Sequence, residues 1–207
     1  MEATKEDILA ARRYLYALFQ SIFGSDPTQE IVELWRSPVT AEAAELLQTE
    51  DVAALTSSLD GTDIEQLRRE YMRLFVGPNK LPVLPWESAI VGNERILFQR
   101  PTLEVRRIYR AHGFTPAQGE SVADDHLSLE MGFLALLAAK TQEAAESGDE
   151  AVLDQALSAS RDFLQNHLGA WIGLYAASMA SEDGFYALAA QAASSFVESD
   201  LKRLETL

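Results

Sequence analysis

IEQLRREYMRLFVGP, residues 64–78, is helical by its spacing. Ile64, Leu67, Tyr71, Leu74 and Phe75 recur at intervals of three and four, which puts them on one buried face. Gly77-Pro78 ends the run, because proline cannot continue a helix. The same period extends in both directions. Upstream, Ile8, Ala11, Leu15, Leu18, Phe19 and Ile22 form a stripe that Gly24 stops. Asp26-Pro27 is expected to open the next helix, with proline at its first position. Residues 40–58 are rich in Ala, Glu and Leu, good helix formers. Downstream, Thr102 to His112 is a short helix stopped by Gly113. Ser121, with Asp124 three residues on, is expected to cap a helix running to about Glu146. Two or three further helices fill residues 149–205, with breaks near Gly169 and at Ser181 to Gly184. No alternating strand pattern and no internal repeat is visible, so the expected fold class is all-α.

The 207 residues suit one compact helical bundle, or two small subdomains that share a core. The chain is 47% hydrophobic and 24% charged, the balance of a globular protein. Its net charge of -15 repels phosphate backbones and anionic headgroups, which argues against nucleic acid and membrane surfaces and favours cationic partners. There are no cysteines, so disulfides, thiolate nucleophiles and cysteine-ligated metals are excluded. The N-terminal residues lack a secretory pattern. The longest charge-free apolar stretch, Leu168 to Ser181, is shorter than the roughly 20 residues of a spanning helix. A soluble, cytoplasmic protein without stable membrane insertion is expected.

Two segments interrupt the helical rhythm. Residues 77–101 hold four of the seven prolines and follow no period, yet Val83, Leu84, Trp86, Ile90, Val91, Ile96, Leu97 and Phe98 are too apolar to stay in water. This loop is expected to be ordered and packed. Residues 113–119 read as a hinge between an N-terminal helical part (1–112) and a C-terminal one (120–207). Between residues 68 and 110, nine basic residues face four acidic ones. They either pair with acids of neighbouring helices or form a recognition surface.

The common catalytic signatures are missing: no GxGxxG, GxxxxGK[ST], HExxH or GxSxG is present. His112 and His167 lie at helix ends and read as structural. Asp124-Asp125-His126 opens a helix, with Glu130 one turn on. Four readings stand: a metal site, since residues at i and i+4 share a face; acid–base chemistry; capping of free N–H groups by the aspartates; or a site where carboxylates accept hydrogen bonds from arginine. Pro85-Trp86-Glu87-Ser88 suits either an anchor for a bound peptide or a plug over the core.

Taken together, Glu70-Tyr71-Met72-Arg73-Leu74-Phe75-Val76-Gly77-Pro78, Pro85-Trp86-Glu87-Ser88, Thr102-Leu103-Glu104-Val105-Arg106-Arg107-Ile108-Tyr109 with Gly113, and Asp124-Asp125-His126 resemble the TorD/DmsD family of cytoplasmic chaperones for molybdenum-containing oxidoreductases. The blocks span about residues 64–138. The resemblance implies a non-enzymatic protein that binds the twin-arginine signal peptide of an apo-enzyme and holds that client until cofactor insertion. It implies a binding site at Trp86, Glu87, Ser88, Asp125 and His126, to which Tyr71, Phe75, Asp124 and Glu130 are added as candidates. No metal and no cofactor of the chain's own is expected, with indirect contact to the client's molybdopterin compatible with the resemblance. Either a monomer or a dimer that exchanges halves across the hinge is compatible with it. Ala123 stands where the family usually has proline, which loosens the expected entry into the Asp-His segment. The rival readings are a metal-dependent helical enzyme using Asp125, His126 and Glu130, and a structural adaptor that docks through the arginine-rich segment.

Overall fold

The first helix begins where the chain supplies its own cap. In the computed structural model, which describes residues 4–92, 100–116 and 122–207, the Thr4 hydroxyl oxygen accepts from the Asp7 N–H and Asp7 accepts from the Thr4 N–H. This box starts α1 (Lys5–Gly24), whose stripe of Leu9, Leu15, Phe19, Ile22 and Phe23 is buried. α1 packs along α8 (Leu127–Ser147), in which every residue from 127 to 134 is buried. A helix covered on all sides forms the centre of a bundle. Glycine permits the close approach: a Cβ on Gly132 would come within 2.7 Å of the Gln20 amide, and one on Gly24 within 2.9 Å of Ser128 Cβ.

Several boundaries differ from the expectation. Asp26-Pro27 precedes a helix instead of opening it, because Thr28 is the residue that caps α2 (Gln29–Trp35). The proline at a first helical position is Pro38, in α3 (Pro38–Leu46), with Ser37 as cap. The Ala-rich stretch 40–58 is divided between α3 and α4 (Glu50–Ser58). Gln48 takes a positive φ of 54° and Thr49 N–H returns to the Ala44 carbonyl, which closes α3 before α4 starts. α5 (Ile64–Tyr71) continues into a π-helical turn at Met72–Val76, ended by Gly77 at φ 98°.

Within the loop 77–101, residues 87–91 form a short helix, α6 (Glu87–Val91). Ile96, Leu97 and Phe98 lie outside the described residues. α7 (Arg100–Ala111) begins two residues before Thr102 and ends near Gly113 at φ 73°. Ser121 also lies outside the described residues, and the long helix starts at Leu127 with His126 as its cap. α9 (Glu150–Asn166), α10 (Leu168–Met179) and α11 (Phe185–Arg203) complete the order. The corner between α9 and α10 needs Gly169, where a Cβ would sit 2.4 Å from the Leu164 carbonyl oxygen.

One core cluster draws on both sides of the 113–119 segment, of which residues 117–119 are outside the described set. α11 packs on α4 and α1, and a buried ion pair ties the chain's two ends together. Arg12 donates through Nε and Nη2 to Asp200 at 2.6 and 3.0 Å, and Tyr16 adds its hydroxyl at 2.7 Å. Part of the basic segment 68–110 follows the pairing reading: Arg68 meets Asp26, Arg73 meets Glu182 and Arg106 meets Asp124, while Arg100 meets Glu104 of its own helix.

Candidate functional site

Two loop segments, forty residues apart in sequence, lie antiparallel as a short strap. Leu127 N–H donates to the Pro85 carbonyl at 2.9 Å, and Glu87 N–H donates to the Asp125 carbonyl at 3.0 Å. Trp86 and His126 therefore sit opposite each other, their rings edge to face with centroids 4.9 Å apart. Asp125 Oδ2 accepts from the Ser88 N–H at 2.8 Å and so caps α6. The capping reading thus holds for Asp125, though it caps the helix across the strap and not its own. His126 caps α8: its Nδ1 accepts from the Ser128 N–H at 3.1 Å and lies 2.8 Å from the Ser128 hydroxyl. Burial lowers the His126 pKa to about 4, so the ring is neutral at physiological pH. Asp124 is held by Arg106 Nε at 2.7 Å, and its carbonyl accepts from the buried Tyr109 hydroxyl at 3.0 Å.

Beneath the strap lies a polar interior. Glu130 Oε2 accepts from Trp171 Nε1–H at 3.0 Å, and Glu87 Oε2 lies 3.0 Å from His167 Nδ1. Asp125 and Glu130 are 0% exposed. The carboxylates of Glu87, Asp125 and Glu130 are thus sealed below the strap and do not line an open surface. Beside the strap, Pro82, Val83, Leu84, Ala89 and Ile90 face Leu174, Ala177 and Ser178 of α10 across a groove of about 580 Å³. Trp86 is half-buried, and its Nε1 has no acceptor among the described residues.

Among the described residues no group of three or more His, Asp and Glu is placed to hold a metal ion. Asp125, His126 and Glu130 turn to separate partners, Ser88, Ser128 and Trp171, so the metal-enzyme reading finds no ligand set here. No helix among the described residues is long and apolar enough to cross a membrane.

The family profile described as nitrate reductase delta subunit matches residues 35–177. A protein of Vibrio cholerae serotype O1 named chaperone protein TorD is 30% identical over 75% of this chain and 70% of its own length. The chain belongs to the TorD family. Its other relatives include chaperone protein TorD of Vibrio parahaemolyticus, 25% identical over 91% of this chain and 92% of that one. The Tat proofreading chaperone DmsD of Salmonella typhimurium is 30% identical over 65% and 64%. A crystal structure of a candidate redox enzyme maturation protein from Archaeoglobus fulgidus shares the fold, with a TM-score of 0.57 over 90% of this chain and 93% of that one at 24% identity. These relatives are named as chaperones, not as enzymes.

In this TorD-family chain the strap gathers Trp86, Glu87, Ser88, Asp124, Asp125, His126 and, beneath them, Glu130. Tyr71 and Phe75 join a different cluster, against Phe23, Phe185 and Tyr186. Sequence reasoning missed Trp171 and Tyr109 and set His167 aside as a helix-end residue. No local signal could link His167 to Glu87, 80 residues away; only the fold brings α6 onto the α9–α10 corner.

Proposed function

We propose that this chain is a cytoplasmic chaperone that binds the twin-arginine signal peptide of an apo-molybdoenzyme and holds that client for cofactor insertion before export. The observation that carries the reading is the strap: two sequence blocks that share nothing locally are hydrogen-bonded together, with an aromatic anchor at their meeting point. The peptide's apolar stretch would lie in the groove between residues 82–90 and α10, with Trp86 at its rim. Its arginines would reach Asp125, whose Oδ1 has no donor among the described residues. Because Asp125 is buried, the strap must lift for that contact, so leader binding competes with the strap's own hydrogen bonds. The -15 charge speeds the approach of a basic leader. Such a chaperone is expected in solution as a monomer or as a dimer exchanging halves across 113–119.

Fluorescence anisotropy with a labelled leader peptide of the client tests the reading. The Arg-Arg leader is expected to bind with an affinity that falls as salt rises, and its Lys-Lys counterpart to bind more weakly, since lysine lacks the bidentate fork. A client leader that fails to bind at low salt would overturn it.

A further inference from the structure

Two glutamates from distant parts of the chain lie side by side in the interior. Glu87 opens α6 and is 5% exposed; Glu130, in the first turn of α8, is 0% exposed. Each has one oxygen engaged from α10 or its corner: Glu130 by Trp171 Nε1–H, Glu87 by His167. Glu130 Oε1 has no donor among the described residues, and the two side chains that hold these acids, His167 and Trp171, are only four residues apart. Two carboxylates cannot hydrogen-bond each other, whereas a carboxylic acid and a carboxylate can. A buried carboxyl oxygen without a donor is the atom that would carry the proton.

We propose that Glu87 and Glu130 share one proton and, with His167 and Trp171, form a latch that holds the Trp86 strap onto α8, Glu130 and His167 being positioning residues that act through Glu87. The surroundings favour it. Asp125 adds a third acid next to the pair, the neutral His126 and Tyr109 face the same interior, and the Arg106 charge is taken up by Asp124. Burial first, and then the neighbouring Glu87, raise the Glu130 pKa well above its ordinary value.

The device has a definite sign. When the strap opens, water reaches the pair and Glu130 reverts to an ordinary pKa of about 4.3, releasing its proton. Opening is therefore favoured as pH rises, by about tenfold in the opening equilibrium per pH unit until the closed-state pKa is reached. A leader that lifts the strap would exchange a proton for its own guanidinium charge; this consequence rests on the leader-binding reading above.

Hydrogen exchange of the Glu87, Ser88 and Leu127 amides, corrected for intrinsic rates, reads the opening directly. Measurement between about pH 6.5 and 8 separates it from His126, whose ordinary pKa lies at about 6.5. Wild-type opening is expected to rise with pH across this window, by up to tenfold per unit. Glu130→Gln is expected to abolish the slope, since its amide accepts from Trp171 and donates to Glu87 with no proton to lose. Glu130→Ala is expected to raise opening at every pH. If Glu130→Gln keeps the wild-type slope, or the wild type has none, the latch is overturned. A leader titration on the same samples keeps the two claims apart. A wild type that shows the slope and binds no leader contradicts the functional reading alone, while leader binding without a slope contradicts the latch alone.

Discussion

His126 is the residue on which both the strap and α8 depend, and its chemistry is set by burial. It accepts the Ser128 N–H as a helix cap and stacks edge-on against Trp86. Its pKa falls from 6.5 to about 4 because the charged ring has lost water. Below pH 6.5 the unfolded chain takes up a proton that the folded chain refuses, so stability is lost as pH falls from 6.5 toward 4, by about 3 kcal/mol at pH 4. His126→Asn keeps a good cap without a titrating group. Urea denaturation is expected to show it losing about 3 kcal/mol less than the wild type between pH 7 and pH 4; an identical acid limb would contradict the assignment. Asp125→Ala removes the cap on the Ser88 N–H and should cost about 1 kcal/mol, read as a lower urea midpoint, with Asp125→Asn recovering most of it. That an aspartate of this segment serves as a helix cap was legible in the sequence, because carboxylates crowd one helix start. That Asp125 caps a different helix was not, since its partner Ser88 is 37 residues away.

At the scale of elements, the helical period gave α1 and α5, and the errors fell where composition hides a cap. Residues 40–58 look continuous because Ala, Glu and Leu dominate, yet Gln48 at positive φ divides them. Serine is a strong cap by type and points to Ser121 as the start of α8; histidine is a weaker signal, and only the Ser128 N–H reveals its role. The α9–α10 corner was placed correctly near Gly169, and there the glycine is a steric requirement. Gly169→Ala would force a methyl group against the Leu164 carbonyl, whereas Gly132→Ala meets only the mobile end of Gln20. Gly169→Ala is expected to destabilise by about 1–3 kcal/mol, and Gly132→Ala to be near neutral because helix propensity offsets the contact. Chemical denaturation of the pair decides it: equal costs would mean the corner does not depend on that glycine. Since His167 sits at this corner, Gly169→Ala should also loosen the strap.

Across the whole molecule, α1 joins the first residues to the last through Arg12 and Asp200, both fully buried. Arg12→Ala leaves Asp200 without its main counter-charge and is expected to cost about 3–5 kcal/mol, more than replacing both partners with apolar residues of similar volume. A double variant as unstable as the single one would contradict that account. The all-helical class and the family were readable from the sequence because blocks such as Pro85-Trp86-Glu87-Ser88 and Asp124-Asp125-His126 keep their order. The sealing of the carboxylates was not, because burial depends on how α6, α8 and α10 come together. The three tryptophan indoles allow the central claim, that a basic leader engages the strap at Trp86, to be read in one titration. Trp35 donates to Ser21 and Trp171 to Glu130, while Trp86 Nε1 has no acceptor among the described residues. In a nitrogen–proton spectrum of labelled protein titrated with the client's twin-arginine leader, the Trp86 indole resonance is expected to shift to saturation while Trp35 stays in place. A saturated complex in which the Trp86 resonance has not moved would contradict the account.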